Sequence, residues 1–236
     1  MVESLSRKMG QSMLSAPGMA SRMEGAAEQL GNQFPVLAAA PLYVRESLLF
    51  PYRAGFRFQH ELLEKLGNSA YSRVFPPPLN TQQVLHPQMY LAQVKPVEPP
   101  LPSFNGKDYR ELAAGSVGEF DHAILLEQYA GKDIATELAP TWRGGSFRLL
   151  EARQDKRIVL LYASEWTDAA HARDMFNAYR TIAREKSKQF TLLSESENAI
   201  EALGDYGLVR ILLQGNRVSS IEGAPPGASP SATLKN

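Results

Sequence analysis

Apolar residues recur at helical intervals over Leu37, Leu42, Tyr43, Leu48, Leu49 and Phe50. They recur again over Phe56, Phe58, Leu62, Leu63 and Leu66, with one proline, Pro51, between the two runs. A segment this long with a wide apolar stripe has to bury it against other elements, so the first part of the chain must be helical. Pro51 has no amide hydrogen, and its ring clashes with the carbonyl one turn back. The pattern therefore predicts two helices meeting at a bend, with Gly55 letting another backbone come close. Gly67-Asn68 closes the second helix, and Ala70 to Phe75 form one more turn before Pro76-Pro77-Pro78 forbids helix. Asn80 or Thr81 then caps a short helix, with Gln83 placed to return a hydrogen bond if Asn80 is the cap. His86-Pro87 ends it.

Upstream, Val2, Leu5, Met9 and Met13 share one helical side, and Pro17-Gly18 stops that helix. Met19, Met23, Ala27 and Leu30 suggest a second. The methionines read as pliable core. The first helix has no capping segment before its apolar face, as though entered midway. Downstream, Val94 to Pro102 carries four prolines. The expected division is a helical region over 1–93, a Pro-rich linker over 94–105, an α+β region over 106–224 and a disordered tail over 225–236.

In the second region, Val117 to Tyr129 is amphipathic, with Phe120, Ile124, Leu125 and Leu126 inward, and Ile134 to Leu138 adds a shorter helix. From Trp142 the period changes. Phe147, Leu149 and Arg153 to Ile158 read as a hairpin turning at Gln154-Asp155-Lys156 into the strand Ile158 to Tyr162. Thr167 or Asp168 caps a helix with Ala172, Met175, Phe176, Tyr179 and Ile182 inward. Phe190 to Leu193, Gly207 to Leu213 and Val218 to Ile221 are further strands, the last two joined by Gly215-Asn216. The predicted fold is α+β: an N-terminal helical half, then a small, mostly antiparallel sheet packed with a long helix.

Charge and composition exclude several functions. Twenty-five Lys and Arg balance twenty-five Asp and Glu, so the clustered basic excess of a nucleic-acid binder is missing and no nucleic-acid partner is expected. With no cysteine, disulfides, thiolate metal sites, iron–sulfur clusters and a cysteine nucleophile are out of reach. The start shows no secretory-signal pattern, and no stretch has the apolar length to cross a bilayer, so a soluble chain of unassigned location is expected.

The four histidines, His60, His86, His122 and His171, include no pair three or four apart, so the two-histidine zinc helix is missing. His60-Glu61-Leu62-Leu63-Glu64 comes nearest to it, and reads either as a metal pair or as a surface ion pair on an amphipathic helix. His86 holds a loop or faces a cleft. Glu165 ends an apolar strand, a position where carboxylates often act, but it has no identifiable acid or base partner. Arg143-Gly144-Gly145 reads as a tight turn into the hairpin rather than as a phosphate loop, and Ser164 lacks a hydrolase elbow.

Pro41-Leu42-Tyr43-Val44-Arg45-Glu46-Ser47-Leu48-Leu49-Phe50-Pro51-Tyr52-x-x-Gly55-x-x-Phe58, with Pro77-Pro78-Leu79-Asn80-Thr81-Gln82-Gln83-Val84-Leu85-His86-Pro87-x-x-Tyr90, resembles the downstream region of bacterial gluzincin-like zinc metallopeptidase homologues. Trp142-Arg143-Gly144-Gly145 and Tyr162 to Trp166 resemble its C-terminal part, and the similarity runs to about Gly223. In that family a His-Glu-x-x-His helix supplies two zinc ligands and the general base, and a downstream Glu-Gly-x-Ala helix supplies a third ligand. The His-Glu-x-x-His motif does not occur here. The resemblance therefore implies a non-catalytic C-terminal portion, truncated or degenerate, inactive alone, with zinc only in full-length relatives. Its partner would be a missing N-terminal catalytic segment, a peptide or a protein. The sequence assigns no catalytic, cofactor or metal residue. Tyr52, Gln83, His86, Tyr90, Trp142 and Glu165 are kept as a binding or structural set. The competing expectation is a peptide-binding module with a groove between the halves, lined by Phe50, Tyr52, Tyr90 and Trp142. An unrelated enzyme centred on Glu165, His86 and His60 is the third.

Overall fold

A computed structural model describes residues 34–71 and 76–227, together with Gly18, Arg22, Gly25 and Ala26. The expected helices over 1–14 and Met19 to Leu30, the end of the turn at Ala70 to Phe75, and most of the C-terminal tail lie outside the described residues. The chain forms two compact units that divide between Lys95 and Pro96.

The first unit holds α1 (Pro35–Ala38), α2 (Leu42–Leu66), a 3-10 helix (Gly67–Tyr71), α3 (Thr81–Leu85) and α4 (Pro87–Leu91). The bend expected at Pro51 does not divide the helix: α2 is one element of 25 residues with the proline inside it. The reason lies in the stripe. Leu49, Ala54, Phe58 and Leu62 are buried on both sides of Pro51, and burying such side chains at about 1.5–3 kcal/mol each offsets the roughly 3 kcal/mol that an interior proline costs. Glu46 also receives Arg53 Nη1 at 3.1 Å across the proline. Gly55 is not a point of close approach, because a Cβ there would meet no described atom within 4 Å. Phe58, Leu62 and Ala70 pack with Leu66, Val84, Tyr90 and Leu91 as this unit's core.

The second unit is a seven-stranded sheet of order β1-β2-β3-β7-β6-β5-β4, antiparallel throughout. Its elements are β1 (Tyr109–Ser116), α5 (Glu119–Tyr129), α6 (Lys132–Leu138), β2 (Trp142–Ala152), β3 (Ile158–Trp166), α7 (Ala169–Glu185), β4 (Thr191–Glu195), β5 (Ala199–Gly204), β6 (Gly207–Gln214) and β7 (Arg217–Ala224). The α+β architecture is as expected, including the long helix on the sheet. Asp168 caps α7 by accepting from the His171 amide at 2.9 Å, and Ala172, Met175, Phe176, Tyr179 and Ile182 all face inward. They meet Leu126, Trp142, Tyr162, Trp166, Ile200 and Ile211 in the larger core. Leu150, Val159, Leu161, Leu208 and Ile221 form a smaller one, onto which Leu101 and Phe104 pack.

Several expectations change in detail. On α5 the fully covered residues are Glu119, His122, Ile124 and Leu126, whereas Phe120 and Leu125 are only half-buried. Strands β1 and β5 were not foreseen. The prolines of 94–102 do not simply link: the Val97 amide donates to Arg143 O at 2.9 Å, and Val97 pairs with Gly144. Gly144 and Gly145 are therefore not a turn. They lie inside β2, where the carbonyls of Val97 and Val117 come too close to admit a Cβ. Gly215 does make the expected two-residue turn, with φ 60° at its first position.

Candidate functional site

The most specific block of the resemblance folds as a clasp. Asn80 Oδ1 accepts from the Gln83 amide at 2.9 Å, as an N-cap should. Gln83 returns the bond one residue earlier than predicted: its Oε1 accepts from the Leu79 amide at 2.7 Å, while its Nε2 donates to Val94 O at 2.8 Å. Both ends of this buried amide are thus committed to backbone. His86 is at once the C-cap of α3 and the residue before α4, which Pro87 opens. Its backbone amide donates to Gln82 O and its carbonyl accepts from the Met89 amide, each at 2.8 Å. Tyr90 Oη donates to Pro76 O at 2.9 Å, and its ring meets Phe58 edge-on at 5.1 Å. Gln83 and Tyr90 line one small hollow of about 240 Å³ with Pro76, Leu79 and Lys95.

The remaining predicted residues fall in both units. Tyr52 is 63% exposed on α2. Phe50, Tyr52, Gln83, His86 and Tyr90 belong to the first compact unit, Trp142 and Glu165 to the second. Trp142 lies opposite Trp166 on β2 and β3 and is buried in the larger core. Glu165 is one residue out of phase with Trp166, so it points to the other face of the sheet, where it accepts from Asn216 Nδ2 at 3.3 Å. His60 Nε2 meets Glu64 at 3.4 Å, one turn on along α2. Among the described residues no three His, Asp or Glu side chains converge as a metal site.

The second unit holds a feature that the sequence reading missed. Leu160, Glu222 and Val209 form one cross-sheet row on β3, β7 and β6, beside Lys186 at the end of α7. A cleft of about 570 Å³ opens there, lined by Ile158, Leu160, Val209, Lys186, Tyr206 and Glu222 among others. Glu222 is nearly buried, and three groups satisfy it. Tyr179 Oη and Ser220 Oγ donate to Oε1, and the Lys186 ammonium pairs with Oε2. Burial pushes the Tyr179 hydroxyl well above its ordinary value, and the neighbouring Glu222 charge adds to the rise.

Behind Tyr179 the polar groups continue into the core. Its ring stacks on Tyr162 at 5.3 Å, and Tyr162 Oη lies 2.6 Å from Nε2 of His122, which is fully buried. The other nitrogen, Nδ1, is 2.7 Å from Gly118 O. A carbonyl can only accept, so Nδ1 carries the proton and Nε2 accepts from the tyrosine. Burial lowers the His122 pKa below its ordinary 6.5, a fall the Gly118 bond and the Asp121 charge only partly oppose. Trp166 Nε1 donates to Ser164 Oγ at 2.9 Å beside them. The signal for this network was in the strand phase. Tyr162, Ser164 and Trp166 alternate on one face of β3, as do Val218, Ser220 and Glu222 on β7, which puts hydroxyls and a carboxylate at core positions that need partners.

Compared with known proteins, the chain matches no family model, no curated protein and no solved structure.

Proposed function

We propose that this chain is the non-catalytic C-terminal portion of a metallopeptidase-like protein, one that lacks the family's His-Glu-x-x-His zinc helix and serves as scaffold and binding surface rather than as the cutting centre. One observation carries the reading. In the block of sequence that most resembles the family, Asn80 to Tyr90, two side chains are tied to main-chain atoms: Gln83 to Leu79 and Val94, Tyr90 to Pro76. Residues used in this way set the path of a loop. They need no His-Glu-x-x-His helix, which this sequence does not contain. A zinc peptidase centre requires three protein ligands and an activated water, and His86, within this block, contributes its backbone to the junction of α3 and α4.

The test is direct. Purified protein incubated with zinc and casein is expected to release no more peptide than a zinc-only blank. Cleavage that appears with zinc and disappears with a chelator would refute the proposal.

A further inference from the structure

The cleft beyond α7 belongs to the second compact unit and is independent of the peptidase-like reading. We propose that it binds a small organic anion: one carboxylate joined to an apolar alkyl or aryl body. The floor supplies the apolar half. Ile158 is 40% exposed there, and it shares its strand face with Leu160 and lines the cleft with Val209. Tyr206, 83% exposed in the β5–β6 turn, adds an aromatic surface at the rim. The volume, about 570 Å³, falls within the range of roughly 300–1,000 Å³ usual for small-molecule sites.

The sign of the ligand follows from which charges are already engaged. Five charged residues line the cleft: Lys156, Arg157, Lys186, Asp205 and Glu222. Both carboxylates are occupied. Glu222 holds Tyr179, Ser220 and Lys186, and Asp205 accepts from the Lys188 and Gln189 amides at 2.9 and 2.8 Å. A cationic ligand would have to displace Lys186. Lys156 and Arg157 differ, because their carboxylates, Glu151 at 3.6 Å and Asp155 at 3.4 Å, are not among the lining residues. Such exposed pairs are weak and exchange readily for an incoming carboxylate, and Arg157 offers it a planar fork of donors.

Lys156 carries a further mark. Its φ is +61°, the left-handed region that glycine or asparagine enters at less cost than lysine. Because glycine suits this backbone better than lysine, removing the side chain separates binding from stability in a single variant.

The probe is the fluorescent arylsulfonate 8-anilinonaphthalene-1-sulfonate, titrated into the purified protein, with 2-naphthoate, 2-naphthamide and an N-acetylated Ala-Phe dipeptide as competitors. One saturable site is expected, from which naphthoate displaces the probe at least tenfold better than the isosteric neutral amide. Lys156→Gly is expected to weaken binding at least tenfold while raising the melting temperature, since it relieves the left-handed residue. Arg157→Gln is expected to weaken binding also, and decides the matter if Lys156→Gly fails to fold. Competition by the dipeptide would identify the carboxylate as the C-terminus of a peptide, and competition by naphthoate alone would identify it as a free small acid. No saturable binding, equal competition by the amide, or unchanged binding in both variants would overturn the proposal.

Discussion

Gly144→Ala is expected to destabilise the second unit by roughly 3 kcal/mol or more, at the upper end of what overpacking costs. The added methyl would overlap the Val97 carbonyl oxygen and lie 2.7 Å from its carbon. Neither partner is free to yield. Val97 is fastened to β2 by the hydrogen bond from its amide to Arg143 O, and β2 is paired with β3 from Trp142 and with β1 from Ser146 onward. Gly55→Ala makes the matched control. It lies inside α2, where the new Cβ meets no described atom within 4 Å, so the expected change is a gain of about 0.5–1 kcal/mol from helix propensity. Denaturant unfolding followed by tryptophan fluorescence measures the first directly, because both tryptophans, Trp142 and Trp166, sit in the core of the second unit. Circular dichroism follows the second. Equal, small effects at the two glycines would show that Val97 does not pack against β2 as described.

Replacing His122 by leucine is expected to cost on the order of 2–3 kcal/mol. Leucine keeps most of the volume but leaves the Tyr162 hydroxyl without the imidazole acceptor 2.6 Å away, and an orphaned buried hydroxyl costs about 1–3 kcal/mol. The same residue gives stability a pH dependence of known sign. Its folded pKa is depressed below 6.5, chiefly by burial, so the unfolded protein binds the proton more readily. The contribution is complete above about pH 6.5 and is lost as pH falls, by at most about 1.4 kcal/mol per pH unit. Asp121, the nearest acid in the balance, opposes the shift without reversing it. Subtracting the leucine variant's pH profile from that of the parent isolates this term. Parallel profiles between pH 5 and 7 would contradict a neutral, fully buried His122.

The sequence revealed those parts of the fold in which a single periodicity dominates. The face of α7, its Asp168 cap, the β2–β3 and β6–β7 hairpins and the Asn80 cap were all legible, because apolar spacing and turn residues agreed there. Strand β1 was not legible. Arg110, Glu111, Ala113 and Ala114 show no alternation, since this edge strand is exposed along almost its whole length. Strand β5 was hidden by its composition: only Ile200 and Ala202 are buried, and the alanine is too small to mark an apolar face. At Pro51 the local rule was overridden by the in-phase burial of Leu49 and Phe58. At Gly144 the residue type was noticed but its cause was not, because the backbone that excludes a side chain there comes from Val97, far away in sequence.

Site residues were harder, for a related reason. Gln83 and Tyr90 were singled out by resemblance, and the structure shows what they hold. His122, Tyr179, Lys186 and Glu222 come from four separate elements or loops and share no motif. Only the register of β3 against β7, which sets Leu160 beside Glu222 and Tyr162 beside Ser220, brings them into one line.

On the reading proposed above, the Asn80–Tyr90 block shapes a loop and the protein holds no catalytic zinc. Equilibrium dialysis of the purified protein against micromolar zinc at neutral pH, with bound metal counted per molecule, tests it most directly. The account predicts occupancy far below one zinc per molecule, unchanged by His86→Ala. One tightly held zinc per molecule, lost on substituting His60 or His86, would contradict it.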